Sequence, residues 1–118
     1  MAEKSEKAVK NHKSFYSCSA SVLCAFAEDA GMTEQEAKAA ASPFAGGRMG
    51  KCGAVMAAEY VLARKYGEGS PEISEFERKF TEMNKSVMCR ELRGGLRTCR
   101  GCVTDSAEIL EAMLKNNE

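Results

Sequence analysis

Six cysteines are the residues of this 118-residue sequence that could do chemistry, at positions 18, 24, 52, 89, 99 and 102. A thiolate is both a nucleophile and a soft metal ligand, so cysteines suit thiol–disulfide exchange, metal binding or iron–sulfur ligation. The sequence shows no apolar signal-peptide core and no run of roughly 18 apolar residues, which predicts a cytoplasmic protein. Static disulfides are rare in that compartment, so we expect reactive or ligating cysteines.

Two segments favour ionised cysteines. Cys89, Cys99 and Cys102 form a C-x9-C-x2-C pattern among four arginines, at positions 90, 93, 97 and 100. Guanidinium groups stabilise thiolates, exchange transition states and anionic clusters. Cys52 follows a glycine-rich loop at the start of a predicted helix, where unpaired N–H groups and the helix dipole lower a thiol pKa. We therefore predict Cys52 or Cys99 as the attacking thiolate and Cys89 or Cys102 as the resolving thiol.

Cys24 is predicted to pack in the core and not to take part in the chemistry of the other cysteines. It lies about 240° around the helix from Cys18, so the two side chains cannot serve one site. Its neighbours are apolar, and a buried cysteine in such a setting behaves as a small hydrophobic residue. Nothing local to Cys18 activates its thiol.

The elements that must position these cysteines are all predicted to be helices. Residues 14–30 carry an apolar face of Phe15, Cys18, Val22 and Phe26, ending at Gly31. Thr33 and Glu36 form a capping box that opens a second helix, which stops before Ser42-Pro43. A third helix spans 52–66, with Val55, Met56, Tyr60 and Ala63 inward.

The C-terminal half predicts two more helices. Ser70 and Pro71 are the N-cap and first residue of a fourth, with a stripe of Ile73, Phe76, Phe80, Met83 and Val87. The last carries Val103, Ala107, Leu110 and Leu114. The fold class is therefore all-α, a compact single-domain bundle (1–118) of about five helices with short connections. Residues 1–13, with a solvated His12, are expected to be a mobile tail or a frayed helix.

Several functions are disfavoured by the composition. Lysine and arginine total 17, as do aspartate and glutamate, so no net charge favours nucleic acid or an anionic membrane. The absence of a long apolar run predicts no membrane insertion. Residues 45–52 imitate a P-loop, but Ala45 replaces its first glycine and Cys52 its magnesium-binding hydroxyl. With a single histidine, ordinary Cys-His nucleophilic catalysis is not expected.

The order of these motifs resembles the C-GCAxxG-C-C family of bacterial and archaeal redox proteins over nearly the whole chain. The resemblance lies in Cys18 before an apolar helix, in Cys52-Gly-Ala after a glycine-rich loop, in Cys89-Arg-Glu-Leu, and in Cys99 before Val103. It implies that Cys18, Cys52, Cys89 and Cys99 are the functional cysteines. The chain departs from the pattern at Ala57, where the motif closes with glycine, and at Cys102, an additional thiol.

Three functions remain open. The first is cysteine-based redox activity, by thiol–disulfide exchange or electron transfer. The protein would then be a thiol–disulfide oxidoreductase, and its partner would be a redox protein or a small-molecule thiol. The second is a zinc or iron–sulfur site with Cys18, Cys52, Cys89 and Cys99 as ligands, which the family's similarity to a domain of split-Soret-type cytochromes also implies. The third is a helical interaction module whose cysteines only pack.

Overall fold

A computed structural model describes residues 3–47 and 50–116 of the chain. The described residues form seven α-helices: α1 (Glu3–Lys13), α2 (Cys18–Ala25), α3 (Glu34–Ala41), α4 (Gly53–Tyr66), α5 (Pro71–Asn84), α6 (Cys89–Glu91) and α7 (Cys99–Asn116). A 3-10 helix, Ser42–Gly47, follows α3, and a wide helical turn, Leu92–Leu96, follows α6. The all-α fold is confirmed for this part of the chain, whereas the prediction of about five helices undercounts.

α1 is one of the helices that the sequence did not reveal. Its buried positions are Ser5, Ala8 and Asn11, so no apolar stripe marks it. It docks through polar groups instead: Glu111 of α7 accepts the backbone N–H of Ser5 at 2.9 Å, and the Asn11 amide donates to the Ser21 carbonyl at 3.2 Å. The expected tail or frayed helix is therefore wrong for residues 3–13, which pack against α2 and α7.

The predicted helix over 14–30 is interrupted near its start. Phe15 has a left-handed backbone (φ 73°) and a side chain that is 98% exposed, so it belongs to the turn after α1 and not to an apolar face. Ser17 then caps α2 by accepting the Ala20 N–H at 3.2 Å. The other members of the predicted face keep their helical spacing, with Val22 and Phe26 fully buried.

α2 lies at the centre of the bundle and contacts α1, α3, α4 and α7. It carries no charged residue, and every position from Ser19 to Ala25 is buried. A helix that has no charged face is stable only when neighbours cover every side, which explains its central place. Of the helices described, none combines the length and apolarity needed to cross a membrane.

The predicted start signals of α3 and α5 and the apolar stripe of α7 are present. The capping box of Thr33 and Glu36 is present, and Ser70 and Pro71 open α5. The α7 stripe of Val103, Ala107, Leu110 and Leu114 is buried as predicted.

The predicted inward positions need correction in α4 and α5. In α4 the fully buried residues are Ala54, Val55, Ala57, Ala58, Val61 and Leu62, while Met56, Tyr60 and Ala63 are half-buried. Small alanines on this face let α4 approach α2 closely, so its larger residues fall at the edge. In α5 only Phe76 and Phe80 of the stripe are fully buried, and Met83 is 55% exposed.

Candidate functional site

Five of the six cysteines line one cavity of about 190 Å³. Its walls are formed by His12, Ser17, Cys18, Cys52, Cys89, Leu92, Arg93, Cys99 and Cys102. All the cysteines that the sequence analysis selected as reactive or ligating are therefore brought together. Cys24 lies elsewhere, 2% exposed in the hydrophobic core, which confirms its predicted packing role.

Four of these cysteines stand at the beginning of a helix. Cys18, Cys89 and Cys99 are the first residues of α2, α6 and α7, and Cys52 is the N-cap of α4. Helices α2, α4 and α7 have at least eight residues each and therefore appreciable dipoles. Because the cysteines at their N-termini line the cavity, the positive ends of these dipoles face it. Converging N-termini favour negatively charged sulfur.

A short backbone clamp holds Cys52 beside Cys89. The Cys52 N–H donates to the Val87 carbonyl at 2.7 Å, and the Cys89 N–H donates to the Gly50 carbonyl at 3.0 Å. Lys51 then anchors this loop with an ammonium that lies 3.1 Å from Glu59 and 2.9 Å from Glu77. The two cysteines, 37 positions apart in the sequence, are thereby fixed on one wall.

Gly53 is the reason that Cys18 can reach the cavity. A Cβ at position 53 would lie 2.6 Å from the Cys18 sulfur and 2.8 Å from the Phe44 carbonyl oxygen. Both separations are shorter than atoms tolerate, so only glycine fits between α4 and α2 here. The glycine of the Cys-Gly-Ala motif therefore has a steric role in assembling the site.

Cys52 is the activated thiol of the cavity, although it is only 5% exposed. A hydrogen bond from the Cys102 thiol is the main reason that the pKa of Cys52 falls to about 7. Burial opposes the shift, while the backbone N–H groups of Val55 and Ala54 and the Arg93 charge add to it. The same hydrogen bond, together with burial, raises the pKa of Cys102 strongly. When the pair holds a single proton, that proton is therefore on Cys102.

Arg93 is a cation that interacts with several cysteines of the cavity. Its guanidinium hydrogen-bonds to Cys89 and interacts electrostatically with Cys99 and Cys18, which raises the pKa of Arg93. It also lowers the pKa of Cys52. The prediction that an arginine of this segment stabilises thiolates is supported for Arg93. Arg97 instead pairs with Asp105 at 3.1 Å.

His12 is the cavity residue that sequence reasoning misplaced. It is half-buried in the cavity wall, not a solvated tail residue, and its Nδ1 accepts a hydrogen bond from Arg100 Nε at 3.3 Å. Burial and then the Arg100 charge lower its pKa, so the ring is neutral with its proton on Nε2. No local signal could have found it, because His12 reaches the cavity only when α1 packs beside α7.

The sulfurs do not form a ready coordination shell. Within residues 3–47 and 50–116, no group of three or more histidine, cysteine, aspartate or glutamate side chains is arranged to hold a metal ion. The donor atoms line a common cavity but, as the side chains stand, do not converge on a single metal ion.

The fold and the cavity define a class: a small all-helical protein whose cysteines gather at helix starts around one activated thiol. The comparison of families then gives the membership. A family model described as "Putative redox-active protein (C_GCAxxG_C_C)" matches residues 16–113, and the chain belongs to that family. Comparison with curated proteins and with solved structures gives no match.

Proposed function

We propose that this protein is a thiol–disulfide redox protein in which Cys52 is the attacking thiolate. The observation that carries the proposal is the hydrogen bond from Cys102 to Cys52 inside a cavity lined by five cysteines, with the Cys52 pKa lowered to about 7. A thiol with a pKa close to the ambient pH combines a large thiolate fraction with retained nucleophilicity. Helix α4 supplies the activating N–H groups.

The exchange would proceed in two balanced steps. The Cys52 thiolate attacks one sulfur of a substrate disulfide, which breaks the S–S bond, forms a mixed disulfide and releases the other substrate sulfur as a thiolate. A second cysteine of the cavity then loses its proton and attacks the Cys52 sulfur, releasing the remaining substrate thiolate. Two protein thiols are oxidised to one disulfide, and the substrate disulfide is reduced to two thiols.

Cys102 is the resolving thiol in this proposal. While Cys52 is a thiolate, it holds the Cys102 proton in place, and the pKa of Cys102 is high. Once Cys52 is in a mixed disulfide its negative charge is gone, so that hold is released and Cys102 ionises more readily. Activation of the second thiol therefore follows the first step automatically. His12 and Arg93 supply donors to the departing thiolate.

Trapping experiments can identify the resolving cysteine. We expect Cys102→Ser, treated with the neutral disulfide of 2-mercaptoethanol, to accumulate a mixed disulfide on Cys52, roughly tenfold above Cys89→Ser, when measured by intact-protein mass spectrometry. Serine keeps a donor toward Cys52, so the first step is preserved. Cys24→Ala is the control and should behave as the unmodified protein. Accumulation in Cys89→Ser alone would assign resolution to Cys89.

A metal or iron–sulfur site is the second candidate. Its support is the set of four cysteines at helix starts around one cavity, beside the Arg93 cation, since thiolates and positive dipoles suit an anionic cluster. The thiol-exchange steps above involve no metal. A bound cluster would supply one-electron transfer.

Anaerobic purification tests this candidate. On the thiol-exchange proposal we expect a colourless protein with six free thiols after mild reduction and less than stoichiometric iron, zinc and sulfide. A visible charge-transfer band with matching iron and sulfide, lost in Cys18→Ser as well as in Cys52→Ser, would contradict the exchange proposal and establish a cluster. Cys24→Ser is the matched control, because Cys24 lies outside the cavity.

A further inference from the structure

A surface depression continues outward from the cysteine cavity. It has a volume of about 420 Å³ and is lined by Arg93, Gly95, Leu96, Arg97, Thr98 and Cys99. We call it the arginine groove. It shares Arg93 and Cys99 with the cavity, so a ligand lying in the groove would be held next to the reactive sulfurs.

Exposed apolar side chains accompany this end of the molecule. Leu96, 47% exposed, belongs to the groove itself. Phe15 lies in the turn between the cavity residues His12 and Ser17, and Met88, 39% exposed, directly precedes Cys89. Of the four exposed large apolar residues found in the described chain, Leu96 therefore lines the groove, and Phe15 and Met88 are sequence neighbours of cavity-lining residues. Such residues around a polar opening are typical of an interaction surface.

Phe15 is the most unusual of them. Its backbone is left-handed (φ 73°), and the turn is held by the Phe15 N–H donating to His12 and the Tyr16 N–H donating to Asn11, each at 3.1 Å. A bulky residue in that conformation is strained, whereas asparagine or glycine adopts it readily. Because its ring is 98% exposed, packing within this chain does not compensate the strain. The exposed ring is available to contact a partner.

The charge around the groove is positive although the whole chain is balanced. Residues 89–100 contain four arginines and one acidic residue, Glu91. The Glu91 carboxylate accepts a hydrogen bond from Ser86, and Asp105 offsets only Arg97. Arg100 donates a hydrogen bond to His12, which is neutral, so this contact does not offset the positive charge of Arg100. A ligand beside these residues is favoured when it is anionic.

We infer that the arginine groove binds an acidic, disulfide-bearing segment of a partner protein. Carboxylates of the segment would pair with Arg93 and the neighbouring arginines, and an apolar side chain would contact Leu96 and Phe15. A protein segment fits better than a small molecule, because Phe15 and Leu96 lie outside the walls of the 190 Å³ cavity that a small disulfide would enter. This inference names the substrate class of the proposed thiol exchange and rests on it.

Two matched peptides test the inference. Each carries the same intramolecular disulfide, flanked by three glutamates in one and three glutamines in the other. We expect the reduced protein to reduce the glutamate peptide about tenfold faster at low salt, and the difference to shrink strongly at about 0.5 M salt as the charges are screened. The neutral disulfide of 2-mercaptoethanol reports basal exchange.

Variants of the apolar residues complete the test. Phe15→Asn and Leu96→Ser should slow reduction of the glutamate peptide several-fold and leave basal exchange unchanged. Phe15→Asn should also retain or raise Tm, because asparagine accepts the left-handed backbone. Met83→Ser is the control, since Met83 is exposed but lines neither depression, and it should have no effect.

The possible failures are distinguishable. Equal rates for the two peptides, with normal basal exchange, would overturn the groove inference and leave the exchange proposal standing. Oxidised glutathione reduced as fast as the glutamate peptide, with no effect of Phe15→Asn or Leu96→Ser, would replace the protein partner with a small anionic disulfide. Absence of reaction with every disulfide would overturn the exchange proposal itself.

Discussion

Cys52→Ser is expected to lower the rate of disulfide exchange by about 100-fold or more, because the variant removes the proposed nucleophile and leaves only binding. Alkylation of the unmodified protein should show one fast cysteine whose rate rises with pH to a half-maximum near 7, the lowered pKa of Cys52. A thiol of ordinary pKa would have about one sixteenth as much thiolate at that pH. Stopped-flow alkylation with mass-spectrometric assignment measures both quantities.

The free energy of unfolding should also depend on pH because of the lowered Cys52 pKa. Since the folded pKa of Cys52 lies below its unfolded value of about 8.5, the unfolded chain holds the extra proton between roughly pH 7 and pH 8.5. The free energy of unfolding should therefore rise with pH across this window by about 1 kcal/mol, and the gain should be lost as pH falls through 7. Above about pH 8.5 stability should fall again, because the unfolded Cys102 thiol ionises there while the folded one, whose pKa is raised, keeps its proton. Cys52→Ser should abolish the rise, whereas Cys24→Ala should keep it. A fast cysteine other than Cys52, or the same pH profile in Cys52→Ser, would contradict the assignment.

Gly53→Ala is expected to lower the free energy of unfolding by about 1–3 kcal/mol, although alanine is the better helix former, because an overpacked contact outweighs propensity. The added Cβ meets the Cys18 sulfur and the Phe44 carbonyl, so either α2 or the 3-10 helix must move. Urea unfolding measures the loss. The displaced Cys18 should also become more accessible to alkylation.

Two further variants make this prediction specific. Gly94→Ala is the control and should be nearly neutral, since nothing lies within 4 Å of a Cβ there and its backbone is not left-handed. Combining Gly53→Ala with Cys18→Ala should recover part of the lost stability, because one of the two clashes is removed. Equal stability of Gly53→Ala and the unmodified protein would show that the helices tolerate wider spacing, and the steric role of Gly53 would be wrong.

Local signals in the sequence were sufficient for much of the fold. The Thr33 and Glu36 capping box, Pro71 at the start of α5 and the α7 stripe are short-range patterns, whose energetics depend on neighbours three or four residues away. For the same reason Cys52 could be placed at a helix start and Cys24 in an apolar face. The helical class and the family membership over residues 16–113 needed no tertiary structure.

The packing of α1 through polar groups could not be predicted from the sequence. α1 is stabilised by polar contacts with Glu111 of α7 and Ser21 of α2, so its own residues 3–13 carry no apolar pattern to detect. The same packing brings His12 into the cavity.

The sequence by itself determined that Cys52 lies at a helix start and that Cys24 packs among apolar residues, because those facts follow from local backbone preferences and side-chain spacing. Only the tertiary structure decided that Cys102 hydrogen-bonds to Cys52, that Gly53 admits the Cys18 sulfur and that Arg93 faces several cysteines together. The contacts of Cys102 with Cys52, of Gly53 with Cys18 and of Arg93 with Cys18 join segments that are far apart in the chain. Their distances depend on how whole helices pack, which no short stretch of residues encodes.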